Sequence, residues 1–80
     1  MTNDEIKSRL TPIFRVVFSD ETLVVNERMT ADDIEGWDSL SHINMIYSVE
    51  KSFGIRFSIK DSRSMKDVGE LVELIEKKTR

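Results

Sequence analysis

The fold is decided by residues 38–54, which read DSLSHINMIYSVEKSFG. Apolar residues recur there every three or four positions, the spacing of one helical face: Leu40, Ile43, Ile46, Val49 and Phe53. Asp38 can cap such a helix at its start, and Gly54 can end it in a left-handed turn. The stretch therefore predicts one amphipathic helix between Asp38 and Gly54.

A second helical pattern lies upstream, over about residues 3–18. Its apolar face comprises Ile6, Leu10, Ile13, Phe14 and Val17. Thr2 or Asn3 can cap this helix. Pro12 lacks an amide hydrogen, so it either kinks the helix or starts a second piece capped by Thr11. We expect the kink.

The rest of the chain predicts a long connection and two further helices. Residues 19–37 show no helical period, and a loop of this length is often functional. Residues 55–59 alternate in polarity, but their only possible partner strand is very short, so we expect an extended segment. A short helix should follow around residues 60–65. Asp67, with Glu70 three residues on, resembles a capping box that opens the last helix. Together, these elements predict a small all-α bundle with one long first loop.

Composition limits what this chain can do. Eighty residues, 39% of them apolar, suffice for a single domain over 1–80 and leave no room for a two-domain enzyme with its own cleft. The net charge of −3, without a polybasic segment, argues against nucleic-acid binding. The chain has no cysteine and no long apolar run, so we expect neither disulfides nor a membrane span. A cytoplasmic monomer is the expectation.

Two chemical interpretations of the region before residue 43 are weak. His42 follows Ser39 by three residues and could share its helical face, but a nucleophilic serine also needs an orienting group and an oxyanion hole. Four acidic residues lie close together without the spacing of a calcium loop: Asp32, Asp33, Glu35 and Asp38. We predict neither a catalytic residue nor a metal site. Ser39 itself, at the start of a helix, would place an esterified phosphate at the positive end of the helix dipole.

The residues around Ser39 resemble the acyl carrier proteins. The resemblance rests on GWDSLSHI at residues 36–43 and VEKSFGIRF at residues 49–57, and it covers essentially the whole chain. It implies that Ser39 carries 4′-phosphopantetheine, which a phosphopantetheinyl transferase installs from coenzyme A. It also implies that Asp38 caps the second helix and helps the transferase engage the serine. The chain would then be a carrier, not an enzyme, that holds acyl groups as thioesters.

The resemblance further implies a four-helix bundle with a long first loop and a short third helix. An acyl chain could slip between these helices, against candidates Ile43, Ile46, Val49, Phe53, Ile59, Met65 and Val68. For each of these residues taken alone, a place in the core is the safer interpretation. Acyl ligases or acyltransferases are the implied partners, and the candidates for recognising them are Leu40, His42, Met45 and Tyr47. On the family's spacing Leu40, Met45 and Tyr47 should be exposed or half-exposed.

One departure from the family concerns charge. Carriers of fatty-acid synthesis have a strongly acidic second helix, whereas this one has only Glu50 and Lys51 beside neutral residues and His42. A specialised lipid or polyketide carrier therefore fits better than a housekeeping fatty-acid role. Two alternatives stay open, a stand-alone peptidyl or aminoacyl carrier and an unmodified helical module for protein–protein interaction.

Overall fold

The computed structural model describes residues 1–80 as four α-helices without a strand. The helices are α1 (Asn3–Val17), α2 (Ser39–Phe53), α3 (Ile59–Ser64) and α4 (Val68–Lys78). The predicted all-α, four-helix bundle is confirmed, with its long first loop and short third helix. Residues 55–58 between α2 and α3 form no strand, as expected.

Each helix begins at a side chain that accepts a hydrogen bond from the first turn. Thr2, not Asn3, caps α1, and its hydroxyl accepts from the Glu5 amide at 3.1 Å. Asp67 caps α4, but the capping box expected there is incomplete. The Glu70 carboxylate accepts from the Lys66 amide at 2.9 Å instead of from the amide of Asp67. Local capping of this kind is why sequence and structure agree on where helices start.

Helix α1 is one continuous element that includes Pro12. The Thr11 hydroxyl donates to the Lys7 carbonyl at 3.1 Å, inside the helix. No second helix therefore begins at Thr11.

One hydrophobic cluster holds the bundle together, and α1 packs against both α2 and α4 within it. The buried residues are Ile6, Leu10, Phe14, Phe18, Leu23, Val25, Ile34, Met45, Ile46, Val49, Val68, Leu71, Val72 and Ile75. Helix α3 contributes none of them. It is tied to α4 instead by an ion pair between Asp61 and Lys78, 3.2 Å apart.

The long loop is fixed to the helices along its length. Arg15 Nε donates to the Leu23 carbonyl at 2.7 Å. The amide of Gly69 in α4 donates to the Glu27 carbonyl at 3.0 Å. A β-carbon on Gly69 would lie 3.1 Å from that oxygen, so glycine permits the close approach. The loop thus delivers its last residues to a defined place at the start of α2.

Candidate functional site

Ser39 is the first residue of α2 and is exposed. The preceding Asp38 caps the helix, and its Oδ1 accepts from the Ser41 amide at 2.9 Å. The Ser41 hydroxyl accepts in return from the Asp38 amide at 2.8 Å, which completes a capping box. Sequence analysis missed this role of Ser41, because the box more often uses glutamate or glutamine. The serine is therefore presented from a well-defined helix start.

The same capping contacts set the charge of Asp38. Bonding to the Ser41 amide, and then to the Ser41 hydroxyl, holds the pKa of the Asp38 carboxyl below its ordinary value of 3.8. A carboxylate at a helix N-terminus also complements the helix dipole. Asp38 is thus an anion at neutral pH, directly beside the Ser39 hydroxyl in sequence.

Trp37 anchors the end of the loop in an aromatic cluster. Its ring meets Phe14 edge-on, with centroids 5.7 Å apart, and lies 5.3 Å from the ring centroid of Phe18. Such aromatic pairs add to the stability gained from burial alone. The two residues that follow Trp37, Asp38 and Ser39, are therefore held near the end of α1.

His42 links the loop, α2 and α3. Its Nδ1 lies 3.1 Å from the indole Nε1 of Trp37, and its Nε2 lies 2.9 Å from the carbonyl oxygen of Ser62. Both ring nitrogens therefore have partners other than Ser39. The serine–histidine pair considered from the sequence does not form.

An open groove of about 840 Å³ lies between α2 and α3, with Ser39 on its edge. Five of the residues that line it are apolar: Ala31, Trp37, Ile43, Ile59 and Met65. Of the other residues predicted to contact an acyl chain, Ile46, Val49 and Val68 are buried in the core and Phe53 is half-buried. Arg63 and Lys66 also line the groove and form no ion pair.

The predicted partner-recognition residues divide between two faces of α2. Leu40 is 70% exposed and Tyr47 is 62% exposed, and Ile43 lies between them on the same face. Met45 is fully buried, so its predicted exposure is wrong. Apolar residues occupy more than half the circumference of α2, and packing against α1 selects the face that contains Met45 for burial. That choice depends on tertiary contacts, which periodicity does not report.

Two of the four acidic residues before α2 accept local hydrogen bonds. Asp33 accepts hydrogen bonds from the amide and hydroxyl of Thr30 at 3.0 and 3.2 Å, while Asp38 caps α2. No three acidic or histidine side chains come together in a geometry that could hold a metal ion. None of the four helices is long and apolar enough to cross a bilayer.

Comparison with known proteins places these features in a family. No family model matches the chain. An acyl carrier protein of Thermotoga maritima is 32% identical over 78 residues, which cover 96% of this chain and 95% of the relative. A holo acyl carrier protein of Geobacter metallireducens is 45% identical and superimposes with a TM-score of 0.83, over 89% of this chain and 82% of that one. A Mycobacterium tuberculosis protein, 20% identical with a TM-score of 0.79, shares the fold over 89% of this chain and 95% of its own. The chain belongs to the acyl carrier protein family.

Proposed function

We propose that this chain carries acyl groups as thioesters on a 4′-phosphopantetheine arm attached to Ser39. The observation that carries the proposal is an exposed serine at the first position of α2, directly after a capping aspartate and on the edge of a partly apolar groove. Family membership supports it, and the Geobacter relative was solved in its holo form. We take residues 1–80 as a single carrier domain that acts as a monomer in the cytoplasm.

The surroundings of Ser39 suit a phosphodiester. Free backbone amides and the positive end of a helix dipole both stabilise an anion at the start of α2. Arg63 and Lys66, neither of them paired with a carboxylate, add positive charge along the same groove. The arm supplies a thiol at its far end, and the protein supplies the attachment point and the surface beside it.

Recognition of the transferase and of acyl-handling enzymes is proposed to centre on α2. Leu40, Ile43 and Tyr47 form an exposed apolar stripe that runs from Ser39 along the helix. Asp38 would contact the transferase next to the reacting hydroxyl. His42 is half-buried and bonded internally, so its part in recognition would be to position α3.

The charge of this surface favours a specialised carrier. Helix α2 has one acidic residue, Glu50, and α3 adds the cations Lys60 and Arg63. Rim charges mainly control encounter rate and specificity. Partners that select a strongly negative helix would therefore gain little here. An acyl ligase or acyltransferase of one lipid or polyketide system, or an aminoacyl-loading counterpart, is the expected partner.

The exposed apolar stripe also favours a second candidate function. Residues of this kind are enriched at protein interfaces, so an unmodified interaction module would show the same stripe. The two functions differ in whether Ser39 is modified.

Incubation with coenzyme A and a broad-specificity phosphopantetheinyl transferase tests the proposal. Intact-mass measurement should show one added phosphopantetheine on the wild type and none on Ser39→Ala. Ser52→Ala, which replaces another exposed serine of α2, should load like the wild type. A wild type that stays unmodified in the presence of a competent control carrier would favour the interaction module.

A further inference from the structure

The hydrogen bonds of His42 determine where its ring hydrogen lies. The indole Nε1–H of Trp37 can only donate, so His42 Nδ1, 3.1 Å away, must accept. The Ser62 carbonyl can only accept, so His42 Nε2, 2.9 Å away, must carry the hydrogen. This arrangement fits one state of the side chain, the neutral imidazole protonated at Nε2.

The bond to Ser62 is important for the placement of α3. That helix contributes nothing to the core. The Ser62 carbonyl belongs to its last turn and has no partner within the helix. Contacts between His42 and Ser62 are the only hydrogen bonds that join α2 to α3. Since Ile59 and Arg63 of α3 line the groove, the position of α3 determines the width of the groove.

We propose that the Trp37–His42–Ser62 bridge is a proton-sensitive latch. A neutral His42 is bonded to both Trp37 and Ser62. Protonation breaks the bond to Trp37 while Nε2–H stays bonded to the Ser62 carbonyl, so that α3 shifts together with the ring. The imidazolium has a hydrogen on both nitrogens, so Nδ1–H would face the indole Nε1–H, donor against donor. The bond to Trp37 is then lost, and the ring must move away from Trp37. Histidine is the side chain that ordinarily changes charge between about pH 5 and 8.

The charges around His42 do not offset this loss. The charged residues that share the groove are Asp38 at the start of α2, Arg63 on α3 and Lys66 after it. Asp38 is committed to its bonds with Ser41, and no carboxylate forms an ion pair with His42. From the side of α1, the residues against Trp37 are uncharged phenylalanines. Protonation therefore breaks the bond to Trp37 without forming a new ion pair.

The groove between α2 and α3 would therefore differ in width between the two protonation states of His42. The consequence for cargo rests on the function proposed above: for an acyl chain on Ser39, α3 would be a fixed side of the groove at neutral pH and a movable one in acid. A partner that displaces the Trp37 ring would have the same effect as a proton, because it removes the same hydrogen bond.

Nuclear magnetic resonance of the unmodified, ¹⁵N- and ¹³C-labelled protein tests the latch directly. The chain has one histidine and one tryptophan, so their ring signals are unambiguous. At pH 7.5 we expect a hydrogen on Nε2 and none on Nδ1. When acidification protonates Nδ1, the Trp37 Nε1–H signal should shift and the backbone chemical shifts of α3 should change, while those of α4 stay constant.

Three variants separate the latch from other effects of acid. His42→Gln keeps an acceptor and a donor but does not titrate, so its α3 shifts should be independent of pH over this range. Trp37→Phe keeps an aromatic ring but removes the donor, so protonation of Nδ1 no longer breaks a hydrogen bond and the α3 response should shrink. Asp61→Asn removes the other titratable contact of α3 and should leave the response intact.

A protonated Nδ1 at pH 7.5 would overturn the proposal, and so would an α3 response in His42→Gln equal to that of the wild type. These measurements need no prosthetic group. Failure of the latch would therefore leave the assignment of Ser39 untouched, and failure of modification at Ser39 would leave the latch untouched.

Discussion

Met45 and Leu40 make a matched test of which face of α2 is buried. Met45 has no exposed surface, and truncation of such a residue to alanine typically costs 2–5 kcal/mol in lost burial and a residual cavity, so we expect about that loss for Met45→Ala. Leu40 is 70% exposed. Full burial of a leucine contributes about 1.5–3 kcal/mol, so its buried third contributes about 0.5–1 kcal/mol. The better helix propensity of alanine offsets part of this. Leu40→Ala should therefore cost less than about 1 kcal/mol.

Urea unfolding followed by far-ultraviolet circular dichroism measures both variants. With a slope of about 1 kcal/mol/M for a chain of this size, Met45→Ala should lower the midpoint by at least about 2 M, or unfold the protein outright. Met45→Leu, which nearly conserves volume, should cost less than about 1.5 kcal/mol and keeps the test informative if the alanine variant does not fold. Equal losses for Leu40→Ala and Met45→Ala would refute this orientation of α2.

Three further predictions concern charge and recognition. Asp38→Ala should lower the unfolding midpoint and slow loading by the transferase, while Asp38→Ser should restore the midpoint and not the rate; equal loading rates for both variants and the wild type would limit Asp38 to a structural role. The rate of loading by a cognate ligase or transferase should depend weakly on salt, since exposed charges are screened beyond about 8–10 Å. The rate should fall more for Tyr47→Ala than for Lys51→Ala. The reverse order, or a steep fall with salt, would show that charge governs the encounter. The Ser58 amide and then Lys78 hold the pKa of Asp61 below its ordinary value of 3.8, so its contribution to stability is present above that pH and is lost as the pH falls below it. The thermal unfolding midpoint should therefore fall from this cause only below about pH 4. In Asp61→Asn it should fall less steeply with pH over the same range.

The helices, and the place of Ser39 at the start of α2, could be predicted because their signals are local. Capping residues next to periodic apolar residues mark where helices begin, and the proposed attachment site follows from a short motif around Ser39. The orientation of α2 could not be predicted in full. Its apolar residues surround most of the helix, so Met45 and Leu40 look equivalent until α1 is in place.

The features that periodicity misses are contacts between segments distant in sequence. The bridge from Trp37 through His42 to Ser62 spans the loop, α2 and α3, and the spacing of these residues in the sequence does not predict it. The bond of the Glu70 carboxylate to the Lys66 amide is local, but it too depends on how the backbone folds before α4. In each case a polar side chain is hydrogen-bonded to a backbone group that comes within reach only when the chain has folded.

The most direct test of the account is tandem mass spectrometry of the protein after treatment with coenzyme A and transferase. The proposed function predicts one modified peptide, the one that contains Ser39, with fragment ions that place the phosphopantetheine on that residue. Ser41 in the same peptide should be unmodified, because its hydroxyl is engaged in the cap of α2. Phosphopantetheine on any other residue, or a peptide that stays unmodified while a control carrier loads fully, would contradict the central claim.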